Sequence, residues 1–72
     1  MKIILTNHAI IRLQERHIDV SKAKSVVKSP SWQKRQGDGS MIARKKIEDT
    51  TIEVVYVLDG SNKVIKTAYL CE

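Results

Sequence analysis

Phenylalanine is missing from this sequence, and its 72 residues hold only one tryptophan, two tyrosines, one proline and one cysteine. So few rings leave little aromatic surface for reading nucleic-acid bases by stacking, and any such binding is expected to be electrostatic and steeply salt-dependent. The single cysteine, Cys71, has no partner for a disulfide and no companions for a cysteine-based metal cage, which fits a reducing, cytoplasmic setting. Long apolar runs are also absent. The longest is Val54 to Leu58, whereas a membrane-spanning helix needs roughly 20 residues. The opening MKIILTNHAI has three apolar residues in succession before Thr6, short of the roughly 7 to 15 of a signal-peptide core. No membrane span and no export by that route are expected. Two histidines nine positions apart match no usual metal-ligand spacing, and neither a glycine-rich phosphate loop nor a nucleophile elbow occurs, so no metal and no cofactor are expected.

A chain of this length is expected to form one domain over residues 1–72, burying only roughly 60% of the surface its unfolded form exposes. Stability is then marginal, and a homodimer interface or a bound partner protein would add to it. The net charge of +5 is unevenly placed. Residues 12–46 carry ten Lys or Arg against three acids, a net of +7, while residues 47–72 carry two against five, a net of −3. Such asymmetry suits an anionic partner at one surface, nucleic acid being the commonest, although a lysine-rich face that merely aids solubility gives the same count.

The pattern along the chain reads as α+β. Lys2 to Thr6 suggests a short strand with Ile3 and Leu5 on one face, after which Thr6 or Asn7 is a natural cap for a helix from about His8 to His17. In that helix Ala9, Ile10 and Leu13 are expected to face the core, and Ile11 lies near the polar side. A second helix carries Val20, Ala23, Val26 and Val27 at helical spacing and ends before Pro30. Beyond Pro30 the period becomes two. Trp32 to Gln36 and Met41 to Ile47 flank a hairpin loop at Gly37, Asp38 and Gly39, Thr51 to Leu58 reads as a central strand, and Lys63 to Leu70 follows the loop at 59–62. The expected fold is a short strand, two helices and an antiparallel meander of about four strands, with Ala9, Leu13, Val26 and Val27 packed against the strand Thr51 to Leu58.

Within HAIIRLQERHI, residues 8–18, His8, Arg12, Glu15 and Arg16 recur at i, i+4, i+7 and i+8 and so project from one helical stripe. This is either an exposed face laced by Arg12 with Glu15, or an anion site in which guanidinium forks hold phosphate and His8 exchanges protons near neutrality. His17 reads more simply as a residue at the helix C-terminus, where a cation suits the dipole. Lys34, Arg35, Arg44, Lys45 and Lys46 form a second basic cluster, in which Arg44 and Lys46 share one face of the strand and Lys45 joins Met41, Ala43 and Ile47 on the other. They would contact nucleic-acid phosphates or only protect a sheet edge. Trp32 is expected to anchor a core or an interface rather than to stack on bases.

The pattern His8-Ala9-x-x-Arg12-x-x-Glu15-Arg16-x-Ile18, a second helix, Pro30, a glycine-bearing hairpin and the ending Val64-Ile65-Lys66-Thr67-Ala68-Tyr69 together resemble the domain of unknown function 4258 family from about Thr6 to Leu70. That family is grouped with the barnase, EndoU, colicin and RelE-like fold, whose members include small metal-independent ribonucleases common among bacterial toxins. The resemblance implies a catalytic site made of His8, Arg12 and Arg16 from the first helix with Thr67 and Tyr69 from the last strand, the latter two sharing a face with Ile65. It also implies RNA as substrate, free or on the ribosome, and an antitoxin protein as partner. His17 departs from the family, in which a glycine is usual at that position.

The chemistry expected is attack of an RNA 2′-hydroxyl on its own neighbouring phosphate, with His8 as acid or base, Arg12 and Arg16 stabilising the added charge and Thr67 orienting the phosphate. A second proton-transfer group is not evident, and Tyr69, Glu15 or water would have to serve. Two rivals stand beside the ribonuclease: a non-catalytic RNA- or ribosome-binding module on the same fold, and a protein-interaction module that uses a sheet edge.

Overall fold

The computed structural model describes residues 2–71. Its elements are β1 (Ile3–Leu5), α1 (Asn7–Glu15), α2 (Val20–Lys28), β2 (Trp32–Arg35), β3 (Met41–Ile47), β4 (Thr50–Asp59) and β5 (Asn62–Cys71). The strands lie in the order β1-β5-β4-β3-β2. The expected meander from β2 to β5 is antiparallel, but β1 lies parallel to β5, with Ile3 opposite Lys63 and Leu5 opposite Ile65, so the sheet is mixed. The two helices carry the chain from β1 to β2 at the opposite edge, and the meander returns it to β5 beside β1. Among the described residues no helix is long and apolar enough to cross a membrane.

Local chemistry fixes the helix ends. Thr6, not Asn7, caps α1: its hydroxyl accepts from the Ala9 backbone N–H at 3.0 Å. Asp19 caps α2 by accepting from the Ser21 N–H at 2.9 Å. At its far end α1 stops earlier than His17, because the Ile18 N–H donates to the Leu13 carbonyl and the His17 N–H to the Gln14 carbonyl. This pair of bonds is a Schellman closure, and it places His17 at φ 56°. A left-handed residue is required there, which gives the physical reason for a glycine in the family pattern.

Both helices cover one face of the sheet. α1 packs on β5, and α2 on β3 and β4. Ala9 and Leu13 of α1 and Ala23, Val26 and Val27 of α2 are fully buried against Ala43, Ile52, Val54, Tyr56, Ile65 and Ala68. Ala9, Leu13, Val26 and Val27 are buried under one sheet face as expected, but the strand Thr51 to Leu58 receives α2, while α1 lies chiefly on β5, the strand beside it in the sheet. Ile10 does not join it: a turn of 100° per residue carries it to the rim of the buried stripe, where it is 36% exposed, and Ile11 is exposed as well. Lys63 closes the end of α2, its Nζ reaching the Val27 carbonyl at 3.4 Å and lying over the Tyr56 ring. The Tyr56 hydroxyl donates to Gln33 at 3.1 Å, and burial raises its pKa above the ordinary phenol value.

Two features of the meander have weak sequence signals. Between β3 and β4 a two-residue turn places Glu48 and Asp49 at φ 51° and 68°, a hairpin conformation that usually takes glycine or asparagine. In β5, Val55 stands opposite Thr67 while Tyr56 stands opposite Ile65, so Lys66 has no opposite residue and forms a bulge. Ile65 is therefore buried on the helix face, and Thr67 and Tyr69 point to the other. Their expected common face with Ile65 does not exist, because strict alternation is interrupted between them.

Candidate functional site

The sheet face away from the helices is open, and alternation sorts the strand residues onto it. Ala43, Val54 and Ala68 mark the covered face, so their neighbours Arg44, Glu53, Thr67 and Tyr69 lie on the open one. Register then builds a row across four strands, with Trp32 opposite Arg44, Arg44 opposite Glu53, and Glu53 opposite Tyr69. Arg16, following the last residue of α1, reaches this row from the side. Its Nη1 donates to the Thr67 hydroxyl and to the Ala68 carbonyl, each at 2.9 Å, and its guanidinium lies 4.5 Å from the centre of the Tyr69 ring. Helix and final strand are thus joined through Arg16, Thr67 and Tyr69, three of the five residues implied as catalytic.

The other two stand apart. Arg12 is exposed and pairs with Glu15 at 3.8 Å, as expected for a laced helix face. His8 is exposed in the first turn of α1, and eight residues of helix set its backbone about 12 Å along the axis from Arg16. The stripe is real as a helical face, but only its last member enters the sheet.

The basic cluster divides between the two faces. Arg44, Lys46 and Lys34 lie on the open face; Lys45, opposite Ile52, and Arg35, opposite Met41, lie on the side of the helices. Arg44 donates from Nε to Glu53 at 2.9 Å, and its guanidinium lies 4.7 Å from the Trp32 ring centre. Trp32 is not in the core. It is 44% exposed, because β2 forms an edge of the sheet with every residue exposed.

Glu53 is the residue sequence reasoning missed. Its side chain is 17% exposed, and it stands between Arg44 and Tyr69 in the row. One signal was present: Glu53 is the single charge within the otherwise apolar or β-branched run from Thr51 to Leu58. A carboxylate there can accept a proton, the guanidinium groups of Arg16 and Arg44 can hold an anion, and Thr67 can donate to one.

The surface around the row is shallow. A depression of about 330 Å³ is lined by Arg16, Tyr69 and Leu70, and a larger one, of about 620 Å³, lies against α2 at Ile3, Ser21, Lys24, Ser25 and Lys28, with none of the implied catalytic residues in its wall. Among the described residues no three His, Cys, Asp or Glu side chains gather as a metal centre would require.

Fold and site together define a small α+β domain, its sheet helix-covered on one face and lined with cations and exposed rings on the other. The chain belongs to the family described as Domain of unknown function (DUF4258), whose profile matches residues 5–70. No curated protein and no solved structure matches it.

Proposed function

We propose that this chain is a metal-independent endoribonuclease of the small bacterial toxin type, with a barnase- or RelE-like fold, and that RNA lies on the open face of its sheet. The observation that carries this reading is the junction of Arg16 with Thr67 and Tyr69. It brings a phosphate-matched fork from the helix to a hydroxyl and a phenol from the last strand, on the face where Arg44 and Lys46 also lie. Arg16 keeps Nε and Nη2 free of protein partners among the described residues, so it can still grip a phosphate.

In the reaction a 2′-oxygen bonds to the adjacent phosphorus and loses its proton, while the bond to the 5′-oxygen breaks and that oxygen gains a proton. Arg16 and Arg44 stabilise the charge that builds on the phosphoryl oxygens, and Thr67 orients them. Glu53 is the candidate for the second proton-transfer group that the sequence left open, and His8 serves as the acid where the scissile phosphate lies along α1 between it and Arg16. A toxin of this kind works in the cytoplasm and is held in check by an antitoxin protein.

Two observations favour a second reading, RNA binding without cleavage: Arg16 also serves the fold by holding the Ala68 carbonyl, and His8 lies two helical turns from it. Cleavage of a ribo-oligonucleotide in chelator separates the two. Under the ribonuclease reading the parent protein cuts, and folded His8→Gln and Glu53→Gln proteins cut roughly 10² to 10⁴-fold more slowly with nearly unchanged affinity. A parent that binds and does not cut selects the binding module.

A further inference from the structure

Trp32 and Tyr69 stand at the two ends of one row, each with a guanidinium against one side of its ring, Arg44 at 4.7 Å and Arg16 at 4.5 Å. Both rings nonetheless remain open to solvent, at 44% and 41% exposure. A cation packed against one side steadies a ring and leaves the opposite side for a second flat partner. Three strand spacings separate the two positions, roughly 14 Å. The rows beside them add Lys34 and Lys46, so four cations accompany one carboxylate, Glu53, which is already paired. Flat partners at both ends with negative charge between them describe a polyanion made of linked rings.

We infer that the open face binds single-stranded RNA laid across the strands, one base stacked on Trp32, another on Tyr69, and the intervening phosphates held by Arg44 and Arg16. Stacked bases along one strand rise about 3.4 Å per step, so the two platforms receive bases up to about four steps apart, and the site takes a segment of about three to five nucleotides. A duplex hides its base faces within its own stack and can offer this surface only phosphates. The electrostatic binding expected from composition is thereby joined by stacking, since two of the three aromatic residues in the chain are gathered on one face. The inference rests on the RNA reading above but not on cleavage.

The test uses the full chain with a 2′-O-methyl pentanucleotide, which cannot undergo 2′-hydroxyl attack, beside a duplex of the same chemistry and an inorganic polyphosphate. Trp32 is the only tryptophan, so its emission reports its own environment. The expected result is quenching of that emission by the single strand and not by polyphosphate. Single-strand affinity should fall roughly 5- to 150-fold in Trp32→Ala and in Tyr69→Ala, with little change in Trp32→Phe and Tyr69→Phe and with duplex affinity unmoved. Circular dichroism verifies that each variant is folded, and the ring-retaining variants guard against a loss caused by unfolding. Equal affinity for strand and duplex, polyphosphate competing as well as RNA, or folded alanine variants that bind like the parent would each overturn the inference. Cutting of an unmodified oligonucleotide is scored separately. Cutting without the stacking signature sinks the inference alone, stacking without cutting sinks the ribonuclease reading alone, and neither binding nor cutting sinks both.

Discussion

The same three strands, β3, β4 and β5, present two unlike surfaces. Toward the helices they show Ala43, Ile52, Val54, Ile65 and Ala68, all buried; away from them they show Arg44, Glu53, Thr67 and Tyr69, all wholly or partly accessible. Stability and the proposed RNA contacts are thus assigned to alternate residues of one strand, so each is open to mutation without the other. Arg16 is the exception: it belongs to the helical layer, yet its guanidinium ends on the open face.

The largest effect that would test this division lies on the covered face. Leu13→Ala leaves a void beneath the sheet where no side chain can collapse freely, and a loss of about 2–5 kcal/mol in unfolding free energy is expected by denaturant titration. A loss below about 1 kcal/mol would mean that the core is far looser than its complete burial indicates.

The two arginines of α1 sharpen the comparison at intermediate size. Arg16→Ala removes two charge-assisted hydrogen bonds, one of them to a backbone carbonyl, and should cost about 1–3 kcal/mol. Arg12→Ala removes only an exposed pair and should stay within about 0.5 kcal/mol of the parent. Equal losses in the two variants would show that Arg16 is not built into the fold as its bonds indicate.

His17→Gly should stabilise the chain by about 0.5–1 kcal/mol, because the left-handed backbone at that position strains any residue with a Cβ. Thermal unfolding of the pair reads this directly, and a destabilised glycine variant would point to a contact made by the imidazole.

The smallest effect concerns acid. Asp19 has its carboxyl pKa lowered from the ordinary 3.8 chiefly by the Ser21 backbone N–H, and Asp38 chiefly by the Ser40 hydroxyl. Since the folded values are depressed, their stabilisation is complete above the ordinary value and is lost as the pH falls through the folded ones. Asp19→Asn and Asp38→Asn should each flatten the loss of stability on acidification below about pH 4, and a parent whose stability does not change over that range would remove both carboxylates from consideration.

Much of this arrangement was legible in the sequence. The change from a helical period to a period of two at Pro30 marked where helices give way to strands, and the spacing of Ala9, Leu13, Val26 and Val27 marked what they bury. Thr67 and Tyr69 were marked by the resemblance, and Arg16 with them. Three things were hidden for physical reasons. The pairing of β1 with β5 joins residues sixty positions apart, and nothing local encodes it. Exposure of Trp32 follows from β2 being an edge, which depends on the order of strands rather than on residue type. The bulge in β5 involves no glycine, so no residue announces it.

That bulge makes Lys66 the surplus residue of β5. Were codon 66 deleted, Thr67 would follow Ile65 directly, and one-to-one pairing with Tyr56 and Val55 would carry residues 67–71 onward by strict alternation with every face unchanged. Were Lys66 kept and the bulge ironed flat instead, alternation running from Ile65 through Lys66 would turn Ala68, now Arg16's acceptor beside the core, to solvent and carry Thr67 and Tyr69 into the packed layer under α1. A single in-frame deletion of Lys66 is thus expected to spare the row, whereas a slip of one residue that absorbs the bulge is expected to erase its Tyr69 end. In this sheet, what each strand residue faces is a matter of counting as much as of chemistry.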